Sequence, residues 1–145
     1  MNILAAVDFS DAYQHIIDQA VLQSKLFSEK LYLIHVENPD TTFVSEGVPP
    51  QYVVSISDEK FEVDKKHLDE IVDSLKKKGI EADYFLEKGM TAPKIIEKAR
   101  LLQVKMIVIG SHGHSMFVDL IKGSTHEGVL HRAECPVLVI PLNNQ

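Results

Sequence analysis

The chain has 145 residues, of which 45% are hydrophobic and 25% charged, with a formal net charge of −6. That length suits one domain, residues 1–145, with a sizeable core, and the acidic balance argues against a nucleic-acid surface, since the lysine run is confined to Lys76-Lys77-Lys78. One cysteine, Cys135, excludes an intramolecular disulfide framework and fits a reducing, cytoplasmic setting, while the first apolar run stops at Asp8, too soon for a signal peptide or a membrane span.

The first predicted element is a buried strand, Ile3 to Val7, followed by a turn at Asp8-Phe9-Ser10-Asp11. Asp11 and Gln14 have capping-box spacing. The helix that follows is expected to bury Tyr13, Ile16, Ile17, Ala20, Val21, Ser24 and Phe27, which recur at three- and four-residue steps. A second strand runs from Leu31 to Val36. Residues 37–56 show no clear period and contain Pro39, Gly47, Pro49 and Pro50, so they read as a long irregular loop.

A helix is expected from about Asp58 to Lys78, with Phe61, Leu68, Ile71, Val72 and Leu75 on one face and Gly79 ending it. Ile80 to Glu87 reads as the third strand. A short helix follows Gly89 and Thr91, with Pro93 in its first turn, where proline is tolerated. Lys105 to Ile109 is the fourth strand, residues 125–133 a last helix, and Val137 to Ile140 a fifth strand. Prolines at both ends, Pro136 and Pro141, place that strand at a sheet edge. The alternation of strands and helices predicts an α/β fold, a doubly wound five-stranded parallel sheet with helices on both faces.

In such sheets a ligand lies at the C-terminal ends of the strands, where strand order reverses. The chain places Asp8, Val36 to Asn38, Glu87 to Gly89 and the residues from Gly110 onward at those ends. Gly110-Ser111-His112-Gly113, nine further residues, and Gly123-Ser124 make the strongest motif. Glycines let backbone N–H groups approach an anion closely, and the helix starting near Thr125 adds free donors and a favourable dipole. Asp8 could accept hydrogen bonds from a ribose or hold a metal on the phosphates. A second reading is purely structural: the glycines shape turns, and Ser124 with Glu127 forms a capping box.

Other chemistries find less support. Lys122 precedes Gly123, so this is no Walker loop, and there is neither a Gly-x-Gly-x-x-Gly fingerprint nor a Gly-x-Ser-x-Gly elbow. His112, His114, His126, His131 and Cys135 lack strong metal-ligand spacing, so no metal ligands are assigned. His35, inside an apolar strand, reads as a satisfied core histidine. No catalytic constellation is visible.

Three segments together resemble the universal stress proteins. They are Ile3 to Ser10, the spaced glycines from Gly110 to Ser124, and Glu134 to Pro141; the resemblance covers essentially the whole chain. It implies a flavodoxin-like strand order 3-2-1-4-5 and a homodimer paired through Val137 to Ile140. It also implies binding of ATP or another adenine nucleotide, accompanied by Mg or Mn, and a regulatory role in the stress response. By matching position, Ala6, Val7 and Asp8 would line the nucleoside pocket, Val36 would meet the adenine through its backbone, and Ile109 and Gly110 would back the ribose. Ser111, His112, Gly113, Gly123, Ser124 and Thr125 would meet the phosphates. His126 departs from the small residue common there and would narrow or charge the pocket. Two alternatives stay open: a nucleotide-independent dimeric interaction module of the same fold, and a weak metal-dependent ATPase using Asp8.

Overall fold

The structure, a computed structural model, describes residues 1–9, 13–38, 50–111 and 125–141, with 50–57 and 125–127 described by their backbone alone. Five strands, β1 (Asn2–Ala6), β2 (Lys30–Glu37), β3 (Ala82–Lys88), β4 (Met106–Gly110) and β5 (Val137–Ile140), alternate with four helices. These are α1 (Tyr13–Phe27), α2 (Pro50–Lys77), α3 (Thr91–Leu102) and α4 (Thr125–Arg132). All strand pairs are parallel and the sheet order is β3-β2-β1-β4-β5, as the doubly wound reading requires. β5 sits at an edge, the position where prolines are best tolerated in a sheet.

The central strands carry apolar side chains on both faces, which is why they read as continuous runs rather than alternating ones. Ile3, Ala5, Val7, Leu31, Leu33 and Val108 enter one core with Ile16, Ile17, Leu68 and Val72 from α1 and α2. Leu4, Ile34, Val36, Ile107 and Ile109 enter the other, with Ile95, Ile96 and Ala99 from α3 and Val129 from α4. The period of two along each strand thus divides one apolar run between two cores.

α2 ends as the sequence indicates. Gly79 takes φ +83, and the amides of Gly79 and Ile80 fold back onto Lys76 and Leu75 carbonyls. α3 ends on a left-handed residue too, but there it is Gln103, whose N–H meets the Ala99 and Arg100 carbonyls. α3 and α4 pack closely at Gly128, where a Cβ would come within 2.9 Å of Ala92 Cβ.

Two expectations change. α2 begins at Pro50, not near Asp58, so the irregular segment is shorter than 37–56. Pro49 and Pro50 looked like breakers, yet proline is well suited to a helix's first turn. The Val53-Val54 pair also blurred the helical period there. Phe27 is 43% exposed rather than buried, at the end of α1, with Lys105 Nζ 5.0 Å from its ring centroid. The expected cap Asp11 lies outside the described residues.

Candidate functional site

The order β2-β1-β4 places the strand-order reversal between β1 and β4, which pair as Ile3–Met106, Leu4–Ile107 and Ala5–Val108. Carrying that register forward sets Val7 level with Gly110 and Asp8 level with Ser111. Segments about a hundred residues apart in sequence therefore meet at one crevice. Ala6, Asp8, Gly110 and Ser111 are half-buried at its rim. Ala6, Val36 and Ile109 all belong to the apolar cluster on the α3/α4 face, so they form a common floor. α4 follows β4 and begins at Thr125, at the same end of the sheet. His112, Gly113, Gly123 and Ser124 lie outside the described residues, as does the side chain of His126.

Two predicted site residues have their backbone groups engaged. The Val7 side chain points into the α1/α2 core and is 4% exposed. Its N–H donates to Ile34 O at 2.9 Å, and its carbonyl lies 2.7 Å from His35 Nδ1. Ser111 N–H donates to Ile140 O at 2.8 Å, so this amide serves the β5 junction.

Phe9, immediately after Asp8, has φ +59, an uncommon conformation for an aromatic residue. Surrounding rings hold it there. It stacks on His67 with centroids 4.4 Å apart, lies 4.7 Å from the His35 ring and meets Tyr13 edge-on at 5.5 Å. Tyr13 Oη and His67 Nε2 are 3.0 Å apart, closing the group. Strain of this kind concentrates at functional turns.

A second group, which sequence reasoning missed, lies at the end of β2 on the α2 side. His35 and Glu37 are two residues apart and share a face; Asp64 rises from α2 to meet them. His35 is 6% exposed, and the Glu37 side chain is 8% exposed. With Nδ1 donating to Val7 O, His35 Nε2 faces Asp64 Oδ2 at 3.3 Å without forming a hydrogen bond. Glu37 Oε1 also lacks a hydrogen-bond partner, the Lys60 ammonium being 3.9 Å away. Lys60 Nζ reaches Asp64 Oδ2 at 3.2 Å.

Burial holds His35 below the ordinary imidazole range, against the pull of the Val7 carbonyl and the Asp64 carboxylate. Burial, reinforced by a proton shared with Asp64, pushes Glu37 up to about 7. Burial also acts on Asp64, but Glu37, Lys60 and His35 together hold its carboxyl below the usual range. His35 is therefore a core histidine satisfied on one nitrogen only. Its signal in the sequence was the His-x-Glu step on a strand, but nothing there pointed to Asp64.

The cysteine and histidines near the chain's end form no such group among the described residues. His131 is exposed on α4, while Cys135 is half-buried, and burial pushes its thiol up. A shallow groove of about 540 Å³ runs between α3 and α4, past Pro93, Ile96, Arg100 and Arg132. It shares no residue with the β1/β4 crevice.

The fold and its switch-point crevice define a flavodoxin-like doubly wound α/β protein with a candidate ligand site at the strand ends. The family model described as "Universal stress protein family" matches residues 1–141, and the chain belongs to that family. The chain is 30% identical to universal stress protein YxiE of Bacillus subtilis over 144 residues, covering 96% of this chain and 97% of that one. The structure of MJ0577 from Methanocaldococcus jannaschii superposes with a TM-score of 0.82 at 24% identity, covering 99% of this chain and 97% of that one. A universal stress protein from Archaeoglobus fulgidus in complex with dAMP (TM-score 0.64, 22% identity) covers 97% of each chain. A universal stress protein in complex with cAMP (TM-score 0.67, 20% identity) covers 97% of this chain and 96% of that one. No helix among the described residues is long and apolar enough to cross a membrane.

Proposed function

We propose that this chain is a cytoplasmic, adenine-nucleotide-binding regulator of the stress response, with ATP as the leading candidate ligand. The observation that carries the reading is the β1/β4 reversal, which sets Ala6, Val7 and Asp8 beside Ile109, Gly110 and Ser111. The apolar floor of Ala6, Val36 and Ile109 suits a purine and ribose. The spaced glycines Gly113 and Gly123, with His112, Ser124 and Thr125, supply amide and hydroxyl donors for phosphates where α4 begins. Relatives of the same fold bound to dAMP and cAMP support adenine as the base.

Asp8 takes either a ribose hydroxyl or a Mg or Mn ion on the phosphates. His126 holds the second position of α4, where an imidazole would narrow or charge the phosphate pocket. Occupancy, rather than turnover, is the signal in this reading. Val137 to Ile140 pairs with a second copy to make a homodimer, which covers the otherwise open edge of β5.

Calorimetry of nucleotide-stripped protein with ATP, ADP and AMP tests the reading, together with mass spectrometry of nucleotide released on denaturation. Binding is expected in the wild type, and loss of binding in Gly113→Val and Gly123→Val proteins that keep a native circular dichroism spectrum. No binding to any of the three nucleotides favours the nucleotide-independent interaction module instead, and unchanged binding in both folded variants overturns the phosphate role of the spaced glycines. Turnover abolished by Asp8→Asn favours the ATPase reading.

A further inference from the structure

We propose that His35, Glu37 and Asp64 bind one divalent transition-metal ion of the zinc class, at a site distinct from the nucleotide crevice and independent of it. The three offer one nitrogen and two carboxylate oxygens, all within 4.8 Å of one another. The His35 Nε2–Asp64 Oδ2 separation is 3.3 Å. Two donors about 2.0–2.1 Å from one tetrahedral zinc stand about 3.3–3.4 Å apart, so this pair is already spaced for a shared ion. Glu37, within the same 4.8 Å group, supplies the third donor.

The burial of these groups points to a ligand. The side chains of His35 and Glu37 are 7% and 8% exposed, and each carries a buried polar atom with no hydrogen-bond partner. With Nδ1 donating to the Val7 carbonyl, the Nε2 lone pair is aimed at carboxylate oxygens, which are themselves acceptors. Lone pairs facing one another in a buried place repel unless a cation or a proton lies between them. A backbone carbonyl on the other ring nitrogen is also the usual means of fixing the tautomer of a metal-bound histidine.

Charge and access agree. Once the proton that Glu37 shares with Asp64 is displaced, neutral imidazole and two carboxylates carry −2, which a divalent ion cancels. Lys60 is the cation now at the group's mouth, 3.2 Å from Asp64 and 3.9 Å from Glu37, and its side chain is 63% exposed. It can swing into solvent at little cost and open the path. A second ammonium, Lys88, is engaged by Asp58 at 3.5 Å and by the Phe61 ring. Nitrogen with carboxylate oxygen favours zinc, manganese, cobalt or ferrous iron over the oxygen-only ions calcium and magnesium.

The test uses full-length protein, stripped of metal with EDTA and free of nucleotide, titrated with Zn²⁺ alone by calorimetry. One ion per chain, at micromolar affinity or tighter, is expected. Glu37→Gln and Asp64→Asn are each expected to weaken it at least about tenfold, the lower bound for disturbing even an outer shell. Lys60→Ala is expected to tighten it severalfold by removing a competing cation. Nitrogen-15 NMR is expected to show the His35 Nε2 resonance moving with zinc in the wild type, and moving only at higher zinc concentrations in Asp64→Asn. Absence of binding to the wild type overturns the proposal, as does equal affinity in wild type and Glu37→Gln, which would place the ion elsewhere. If Asp64→Asn does not fold, Glu37→Gln and the exposed Lys60→Ala decide the matter. Weaker binding in Lys60→Ala would also overturn it.

Discussion

The two neighbouring parts of the sheet's C-terminal edge are built from different chemistry. At the β1/β4 exit the assets are backbone: a register, Gly110 and a helix start, above an apolar floor. At the β2 exit they are side chains: an imidazole and two carboxylates, packed beneath α2 with part of their hydrogen-bonding capacity unmet. The difference teaches that a backbone site advertises itself through residue type and spacing. A side-chain site made by convergence stays hidden until its elements pack.

The largest way to break the comparison is from beneath. Leu68 on α2, one turn from Asp64, and Ile107 on β4 are both fully buried in opposite cores. Leu68→Ala and Ile107→Ala are each expected to cost about 2–5 kcal/mol in urea unfolding. In the folded state Leu68→Ala should impair zinc uptake more than nucleotide uptake, and Ile107→Ala the reverse. Equal effects on both ligands would show that the two parts answer as one unit.

A smaller effect is expected at Gly128→Ala. The new Cβ would meet Ala92 Cβ at 2.9 Å, a contact with no flexible end to yield. Overpacking of about 1–3 kcal/mol should outweigh the gain of up to about 1 kcal/mol in helix propensity. Thermal melting should therefore show net loss, and shifting α4 should weaken nucleotide binding while leaving zinc alone.

Gln103→Gly acts far from both parts. Gln103 sits at φ 50, ψ 52, which glycine adopts without strain. A gain of about 0.5–1 kcal/mol is expected by denaturant melt, with both ligand affinities unchanged.

The smallest effect sharpens the contrast between buried and exposed charge. Arg100 and Glu134 form a 3.0 Å ion pair whose side chains are 58% and 69% exposed. Arg100→Ala should cost under about 1 kcal/mol, and less still at high salt, in the same unfolding assay.

Much of the fold was legible in the sequence. The five apolar runs, Gly79 after a helix and the proline-bounded last strand were local signals, and local signals survive in one dimension. α2's true start was obscured because Pro49-Pro50 resembles both a loop and a helix entry. Phe27 fitted the helical period of α1 but fell at its final turn, where the core has ended. The crevice was half legible: the sequence put Gly110 and Asp8 at facing strand ends, while Gly113 and Gly123 lie outside the described residues. The strained Phe9 and its ring cage were illegible, because Tyr13, His35 and His67 come from three different elements.

The sequence by itself determined the alternation of strands and helices, the edge position of the last strand and the glycine-bearing segment after β4. Each follows from residue type and short-range spacing, which set backbone preference and burial without reference to distant partners. Only the tertiary structure decided that Val7 faces the α1/α2 core while Ala6 and Ile109 face the other, because a strand's faces acquire meaning when something packs on them. It alone brought Asp64 within 3.3 Å of His35. Burial then turned three ordinary polar residues into a group that demands a proton or a cation.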